Sequence, residues 1–167
     1  MTQQAVFFDR DGTLIIDKHY MHKISEIEYF KDSFSALKRL QDKNFKLFIV
    51  TNQSGIGRGM FDEMQMHEVH IKMIKDYKEK GIEISDVAFC PHSPEDECDC
   101  RKPSAKLLLD LATKYKIDMS QSFMIGDKIS DALAGANAGC EGILLNLKDD
   151  KYKDFSNLTQ TVDYILK

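Results

Sequence analysis

The sequence lacks several features that would assign it to a special class of protein. None of its apolar runs approaches the roughly 20 residues that a membrane-spanning helix needs. No basic segment precedes an apolar one at the start of the chain, so we expect no signal peptide, a cytoplasmic location and no membrane partner. Positive charge is not in excess either: the formal net charge is −4, which argues against nucleic acid as a partner.

Cysteines are few, and repeats, linkers and low-complexity segments are missing from the sequence. The four cysteines of a chain without a secretory signal are better interpreted as thiols or metal ligands than as a disulfide framework. A composition of 43% hydrophobic and 30% charged residues is typical of a soluble globular protein with one core. We therefore predict a single domain spanning residues 1–167, and we expect it to be a monomer.

Apolar runs of strand length alternate along the chain with segments of helical periodicity. The predicted strands are 5–8, 46–50, 87–89, 122–125 and 142–145. The predicted helices are 32–44, 62–80, 104–116 and 130–138. This alternation predicts an α/β fold, a Rossmann-like three-layer sandwich whose sheet is mainly parallel. Residues 15–30 are predicted to form mostly a loop over the ligand site, and the tail from 149 to be polar before an apolar piece at 162–166.

The segment 6–14 combines an apolar strand with two acids at its end. Asp9 and Asp11 are spaced i and i+2, and Gly12 and Thr13 then turn the chain. Side chains at the carboxyl end of a strand lie in the crevice where open α/β sheets bind ligands. Two carboxylates there can bind Mg²⁺, and one of them can attack phosphorus as a nucleophile. A solvated turn is the alternative interpretation of Asp-x-Asp alone.

Three other predicted strand ends also carry polar residues. They are Thr51 with Asn52, Arg101 with Lys102 after the third strand's loop, and Asp127 with Asp131. In a doubly wound sheet these ends share one edge and can converge. A nucleophilic acid, phosphate-binding hydroxyl and amide groups, a lysine and a further acid are what phosphoryl transfer requires.

A cluster of sulfur and imidazole ligands precedes Arg101. Cys90, His92, Cys98 and Cys100 supply the three thiolates and one imidazole of a closed tetrahedral zinc set. Such a set leaves no open position, so we predict a structural Zn²⁺ that staples the loop 93–97. Unrelated buried cysteines are the alternative. Elsewhere, Cys140 is interpreted as a packing residue, and the pair His67 and His70 as a solvated helix face rather than a metal site.

These motifs resemble the haloacid dehalogenase superfamily of Mg²⁺-dependent phosphatases over nearly the whole chain. The matching segments are 9–13, 51–52, 102–103 and 126–131. The resemblance implies that Asp9 is the nucleophile that becomes an aspartyl phosphate and that Asp11 is the general acid and then the general base. It implies that Thr51 holds the transferring phosphoryl group and that Lys102 balances its charge. It also implies that Asp9, Asp11 and Asp127 bind Mg²⁺, with Asp131 orienting them from outside the ligand set.

The zinc loop resembles a subgroup of that superfamily whose members act on heptose 1,7-bisphosphates or on histidinol phosphate. Segments 17–20 and 52–59 look like the heptose branch, whereas the short spacer 93–97 looks like the histidinol-phosphate branch. Arg58, Arg101 and Lys128 suit a second phosphate, which favours a phosphorylated sugar. The resemblance then implies removal of the C7 phosphate in the biosynthesis of nucleotide-activated heptose. The residues predicted to bind this substrate are Asp17, Tyr20, Asn52, Gln53, Ser54, Arg101 and Lys128.

The intervals between the first three predicted strands leave no room for an inserted cap domain. Water must then be excluded by loops and by the substrate itself, and such an open site also admits larger substrates. A histidinol-phosphate phosphatase is therefore one alternative function. A phosphatase acting on phosphoproteins or nucleic-acid ends is another, and a non-catalytic binding module with this fold is a third.

Overall fold

The computed structural model describes residues 2–167 and contains a six-stranded sheet. The strands are β1 (Ala5–Phe8), β2 (Lys46–Asn52), β3 (Asp86–Cys90), β4 (Phe123–Gly126), β5 (Glu141–Leu145) and β6 (Lys153–Phe155). Their order is β3-β2-β1-β4-β5-β6, and all neighbouring pairs are parallel. The strand order reverses between β1 and β4, which is where doubly wound sheets bind ligands.

The helices connect these strands across both faces of the sheet. They are α1 (Ser33–Asp42), α2 (Ser54–Gly57), α3 (Glu63–Glu79), α4 (Lys106–Tyr115), α5 (Ile129–Ala138) and α6 (Leu158–Ile165). Short 3₁₀ helices occur at Ile24–Glu26 and Met119–Gln121. The predicted α/β fold with a parallel sheet is thus confirmed, and the predicted strands and long helices agree with it to within a few residues.

The core lies on both faces of the sheet because the central strands are apolar on both sides. Val6 and Phe8 of β1 face one core, whereas Ala5 and Phe7 face the other. Helices α1, α3 and α6 cover the first face, and α4 and α5 cover the second. A parallel strand covered on both faces is expected to be a continuous apolar run rather than an alternating one, as 5–8 is.

Besides the two 3₁₀ helices, three elements were not predicted from the sequence: α2, β6 and α6. Strand β6 contains Lys153 and Asp154 and lies at the edge of the sheet, so its sequence has no apolar run. Helix α6 has eight residues and buries Leu158 and Val162, which are one turn apart. Among residues 2–167, the β1–β2 interval holds one 3₁₀ helix and α1, and the β2–β3 interval holds α2 and α3, so the prediction of no cap domain is confirmed. No described helix is both long and apolar enough to span a bilayer.

Candidate active site

A buried lysine joins two carboxylates at the carboxyl edge of the sheet. Lys102 Nζ donates to Asp9 Oδ1 at 2.8 Å, to Asp131 Oδ1 at 2.6 Å and to the carbonyl oxygen of Val50 at 2.7 Å. Its side chain is only 2% exposed. Asp9 follows β1 directly, Asp131 lies in the first turn of α5, and Lys102 arrives from the loop after β3. The structure therefore gathers side chains that are far apart in the sequence, as predicted for this edge.

The charges of this cluster are strongly coupled. Burial and then the Asp131 carboxylate raise the pKa of Asp9, although Lys102 acts in the opposite direction. Burial alone would lower the pKa of Lys102, but Asp131 and Asp9 hold it above its ordinary value. Lys102 therefore carries a full positive charge at neutral pH, as a group that offsets phosphoryl charge must.

Asp127 completes an acidic cluster with Asp9 and Asp131, whose ligand oxygens all lie within 4.8 Å of one another. Two glycines make this approach possible. A Cβ on Gly12 would lie 2.1 Å from Asp127 Oδ2, and Gly12 has a φ of +83°, which glycine adopts without strain. A Cβ on Gly126 would lie 2.2 Å from Asp131 Oδ2. The glycines thus leave the space that the carboxylates occupy.

The donor set of this cluster fits a divalent cation. Burial, and then the Asp9 and Asp131 carboxylates, raise the pKa of Asp127 to about 7. Asp127 Oδ1 is buried and has no hydrogen-bond partner among the described residues. Lys102 is the one ammonium within hydrogen-bonding distance of these three carboxylates in the described part of the chain, so a charge deficit remains. Oxygen ligands with excess negative charge are what Mg²⁺ prefers.

Asp131 and Asp11 differ in how they relate to this cation position. Both oxygens of Asp131 are occupied, Oδ1 by Lys102 Nζ and Oδ2 by the backbone N–H of Lys128 at 3.1 Å. Asp131 nevertheless belongs to the group of possible ligand atoms, so its place outside the ligand set stays a prediction. The predicted ligand role of Asp11 needs correction for its carboxylate, which lies outside the acidic cluster because it pairs with Arg10.

Arg10 is fully enclosed beside the acidic cluster, at 1% exposure. Its Nε donates to Asp11 Oδ2 at 2.9 Å and its Nη2 donates to Asp11 Oδ1 at 3.1 Å. The same side chain contacts Gln53 Oε1 at 3.2 Å and His70 Nε2 at 3.1 Å. His70 is 4% exposed, so the prediction that it lies on a solvated helix face is wrong, whereas His67 is exposed as predicted. Packing of α3 against the site explains the difference, since His70 shares the buried face of that helix with Val69 and Met73.

The polar residues at the carboxyl end of β2 and just after it are mostly engaged within the protein. Asn52 Oδ1 accepts from the backbone N–H of Lys102 at 3.0 Å, and Asn52 Nδ2 donates to the Lys102 carbonyl at 3.3 Å. Gln53 Nε2 donates to Thr51 Oγ1 at 2.8 Å and to Asp11 Oδ2 at 3.2 Å. Asn52 and Gln53, predicted to contact substrate, therefore hold the predicted catalytic residues in place. Thr51 is completely buried beside them.

A cavity of about 290 Å³ opens beside Asp9 and Lys102. All residues predicted to bind substrate line it: Asp17, Tyr20, Asn52, Gln53, Ser54, Arg101 and Lys128. Arg101 is one of these lining residues, and its Nη1 is buried without a hydrogen-bond partner among the described residues. An unpaired buried guanidinium N–H is costly, so this atom points to an anionic or carbonyl ligand in the cavity.

Arg10 and His19 also line the cavity, although no role was predicted for them. Arg10 could have been found from its place between two acids at a strand end. His19 and Tyr20 have left-handed backbone conformations, with φ of 55° and 57°, and Asp17 Oδ1 accepts from the His19 N–H at 2.9 Å. Such an Asx turn is the sequence feature that positions His19 at the cavity mouth.

The cysteine loop gathers three of its four predicted zinc ligands. Cys90 Sγ lies 3.8 Å from Cys98 Sγ and 2.9 Å from Cys100 Sγ. Burial raises the pKa of Cys90 to about 12, whereas the backbone N–H of Arg101 lowers the pKa of Cys98. The imidazole of His92 lies outside this cluster of ligand atoms, so its role as the fourth ligand stays a prediction.

The main chain of His92 nevertheless lies beside the cluster. Its backbone N–H acts to lower the pKa of Cys90, against the larger effect of burial, while the residue is half-buried. Cys140 lies apart among buried apolar residues of α4 and α5, in agreement with its interpretation as a packing residue.

The parallel sheet and the acid–lysine cluster at its switch point define a phosphatase of the haloacid dehalogenase class. Residues 4–162 match the family described as polynucleotide kinase 3 phosphatase, and the chain belongs to that family. The chain is 43% identical over 149 residues to a D-glycero-beta-D-manno-heptose-1,7-bisphosphate 7-phosphatase of Haemophilus ducreyi, covering 83% of this chain and 80% of the relative. It is 36% identical to a D-glycero-alpha-D-manno-heptose-1,7-bisphosphate 7-phosphatase of Campylobacter jejuni, covering 98% of this chain and 96% of the relative.

A solved structure also has the same fold along nearly its full length. A D,D-heptose 1,7-bisphosphate phosphatase from B. bronchiseptica, complexed with magnesium and phosphate, superposes with a TM-score of 0.89. The two chains are 27% identical, and the match covers 98% of each. The predicted resemblance to haloacid dehalogenase-type phosphatases is therefore confirmed.

Proposed function

We propose that this chain removes the 7-phosphate of a heptose 1,7-bisphosphate and leaves the 1-phosphate in place. The observation that carries the proposal is the presence of two separate cationic positions in one cavity. Lys102 lies beside the nucleophile, whereas Arg101 lines the same cavity and has a buried N–H without a hydrogen-bond partner. Lys128 and Arg58 also line this cavity. A substrate with one reacting and one retained phosphate matches this arrangement, and the names of the relatives agree with it.

The proposed reaction begins with attack of an Asp9 oxygen on the C7 phosphorus. The bond from phosphorus to the C7 oxygen breaks as the aspartyl phosphate forms, and Asp11 donates a proton to the departing oxygen. Asp11 then accepts a proton from the water that hydrolyses the aspartyl phosphate. Lys102 offsets the charge on the phosphoryl oxygens, and Thr51, fixed by Gln53, holds the group in line.

Asp9 and Asp127 are the residues that would hold Mg²⁺ in this site. When bound, the ion neutralises charge on the phosphoryl oxygens and on the carboxylates. The unpaired Asp127 Oδ1 and the charge deficit of the cluster support this assignment. The magnesium and phosphate bound to the B. bronchiseptica enzyme are a parallel in a protein of the same fold.

We assign a structural Zn²⁺ to the cysteine loop. Ligands roughly 2.3 Å from a tetrahedral ion lie roughly 3.8 Å apart, which matches the separation of Cys90 Sγ and Cys98 Sγ. Cys100 Sγ, which lies 2.9 Å from Cys90 Sγ, would move outward to become the third ligand, and a rotated His92 side chain would supply the fourth. The site lies immediately before Arg101 and Lys102, so it supports both phosphate-binding residues.

The substrate assignment is tested by measuring phosphate release with Mg²⁺ from a small panel. The panel contains both anomers of the heptose bisphosphate, histidinol phosphate and a 3′-phosphorylated oligonucleotide. The two anomers are included because the relatives' names contain both. We expect the highest kcat/KM on a heptose bisphosphate. A higher value on histidinol phosphate, which the short spacer 93–97 favours, would replace the substrate and keep the mechanism.

A further inference from the structure

A buried arginine, Arg10, lies between the two catalytic acids in the sequence, and the proposed reaction gives it no role. Arg10 is 1% exposed, and its fork faces Asp11. We propose that Arg10, itself held by His70, is the positioning residue that fixes the carboxylate of Asp11 for proton transfer. This inference rests on the proposed function, because it takes Asp11 as the general acid.

The contact between Arg10 and Asp11 is two-pronged. Arg10 Nε and Nη2 meet Asp11 Oδ2 and Oδ1 at 2.9 Å and 3.1 Å, the parallel geometry of a guanidinium on a carboxylate. Oδ2 also accepts from Gln53 Nε2, whereas Oδ1 accepts from Arg10 alone among the hydrogen bonds of the described residues. Oδ1 therefore keeps a lone pair for the proton while the carboxylate is held in one orientation. The Asp11 side chain is 20% exposed and lines the cavity, so the held group faces the substrate.

Arg10 is in turn held from α3. Its Nη1 lies 3.1 Å from His70 Nε2. Arginine has only donors, so His70 must accept here, and its imidazole must be neutral with the proton on Nδ1. Burial, followed by the charge of Arg10, lowers the pKa of His70 to about 3, which keeps the ring neutral at working pH. The guanidinium thus donates to Asp11 through Nε and Nη2 and to His70 through Nη1.

Gln53 connects this network to the phosphate-binding hydroxyl. Gln53 Oε1 accepts from Arg10 Nη2 at 3.2 Å, and its Nε2 donates to both Asp11 and Thr51. Lys102 and the cation position next to Asp9 both attract a free carboxylate. By pairing with Asp11, Arg10 keeps the acid from turning towards those charges and leaves it at the cavity that would receive the substrate.

A dependence on the leaving group separates positioning of the acid from a merely structural role. Nitrophenolate departs as a stable anion without a proton, whereas a sugar alkoxide needs the proton of Asp11. We therefore compare kcat/KM on p-nitrophenyl phosphate with kcat/KM on the heptose bisphosphate for each variant. The ratio of these two values is independent of how much of a variant is folded, because both are measured on the same preparation.

The variants are Arg10→Lys, His70→Leu and His70→Gln, with Asp11→Asn as the reference for loss of the acid. His67→Gln is the matched control, since His67 lies on the same helix but is exposed. We expect Arg10→Lys to lose about a hundredfold more on the sugar ester than on the aryl ester, in the direction of Asp11→Asn. His70→Leu should show a smaller split of about tenfold, and His70→Gln, which offers Arg10 an oxygen acceptor, should restore much of it.

The outcomes separate failure of the inference from failure of the function. A clear split in Asp11→Asn, together with equal losses on both esters in Arg10→Lys and His70→Leu, would overturn the positioning role and leave the proposed function intact. No split in Asp11→Asn would overturn the general-acid role and the inference with it. A split in His67→Gln as large as in His70→Leu would also contradict the inference, because it would show that any change on α3 has this effect.

Discussion

The two candidate metal sites lie at the same edge of the sheet but are built in opposite ways. Asp9 and Asp127 follow β1 and β4 directly, and two glycines leave the space for the carboxylates. Of the cysteines, Cys90 ends β3, whereas Cys98 and Cys100 belong to a loop without regular structure. The acidic site is therefore positioned by the fold, while the cysteine site must hold its own loop together.

The difference has an energetic consequence. The charged forms of clustered, buried carboxylates are disfavoured, as the raised pKa values of Asp9 and Asp127 show. The acidic site therefore lowers the stability of the folded chain, although its charges are what the reaction needs. A closed zinc set does the reverse, because metal binding supplies folding free energy to a loop with no core. Mutations in the acidic site should therefore lower activity without lowering stability. Mutations in the cysteine site should lower stability and reduce activity only in part.

Asp9→Asn is expected to have the largest effect of all on activity. It keeps the shape of the side chain and removes the nucleophilic charge, so turnover should fall by about three orders of magnitude or more. The melting temperature should stay the same or rise, because a buried charge is removed from the cluster. Phosphate release and thermal unfolding in EDTA measure the two quantities, with the exposed Asp42→Asn as control. Near-normal turnover would refute the aspartyl-phosphate mechanism.

Cys98→Ser should have the opposite pattern. We expect zinc content to fall from about one ion per chain to none, and the melting temperature to fall with it. Activity should drop only in part, since Arg101 and Lys102 lose their support but Asp9 remains. Metal analysis and thermal unfolding test this, and Cys140→Ser, in a cysteine outside the cluster, should keep its zinc. A zinc-free wild-type protein that is stable and fully active would contradict the assignment.

Arg101→Ala tests whether the residue that joins the cysteine loop to the cavity binds the retained phosphate. Arg101 follows the last cysteine and lines the cavity with an unpaired N–H. A charged hydrogen bond to the retained phosphate contributes about 1.5–3 kcal/mol, so kcat/KM on the bisphosphate should fall about ten- to a hundredfold. Turnover of p-nitrophenyl phosphate, which has no second phosphate, should change little. Equal losses on both substrates would show that Arg101 does not bind the retained phosphate; Arg39→Ala on α1 is the surface control.

The acidic edge was largely predictable from the sequence because each of its residues lies on a strand end or on the segment that follows one. Order along the chain then implies proximity in space, as for Asp9, Lys102 and Asp131. The partners of each side chain were not predictable. Asn52 turns to the backbone of Lys102, and Asp11 turns to Arg10, because these nearby groups compete for the same oxygens.

His70 shows why burial of a helix face cannot be read from two histidines alone. His67 and His70 are one turn apart, yet only His70 is buried, and it contacts Arg10 after β1. The tail was missed for a different reason. An edge strand of three residues, Lys153–Phe155, gains its pairing from β5 and carries almost no pattern of its own.

The smallest expected effect is the pH dependence of stability that His70 causes. It tests whether the metal-free fold keeps His70 neutral beside Arg10. His70 is buried, and its pKa is lowered from 6.5 to about 3, so between these values the unfolded chain binds a proton that the folded chain does not. Stability contributed by neutral His70 is then complete above pH 6.5 and is lost as the pH falls. At pH 5.5, one unit below the unfolded value, the loss is about 1.4 kcal/mol.

The measurement is the free energy of unfolding by urea in EDTA at pH 7.5 and pH 5.5. Wild type and His67→Gln should lose about 1.4 kcal/mol more between these conditions than His70→Gln, in which residue 70 no longer titrates. Titrations shared by all three proteins, including that of Asp127, cancel in this difference. If His70→Gln kept the same dependence on pH as wild type, the imidazole would not be held neutral against Arg10. The metal-free fold would then not hold Arg10 through a neutral His70.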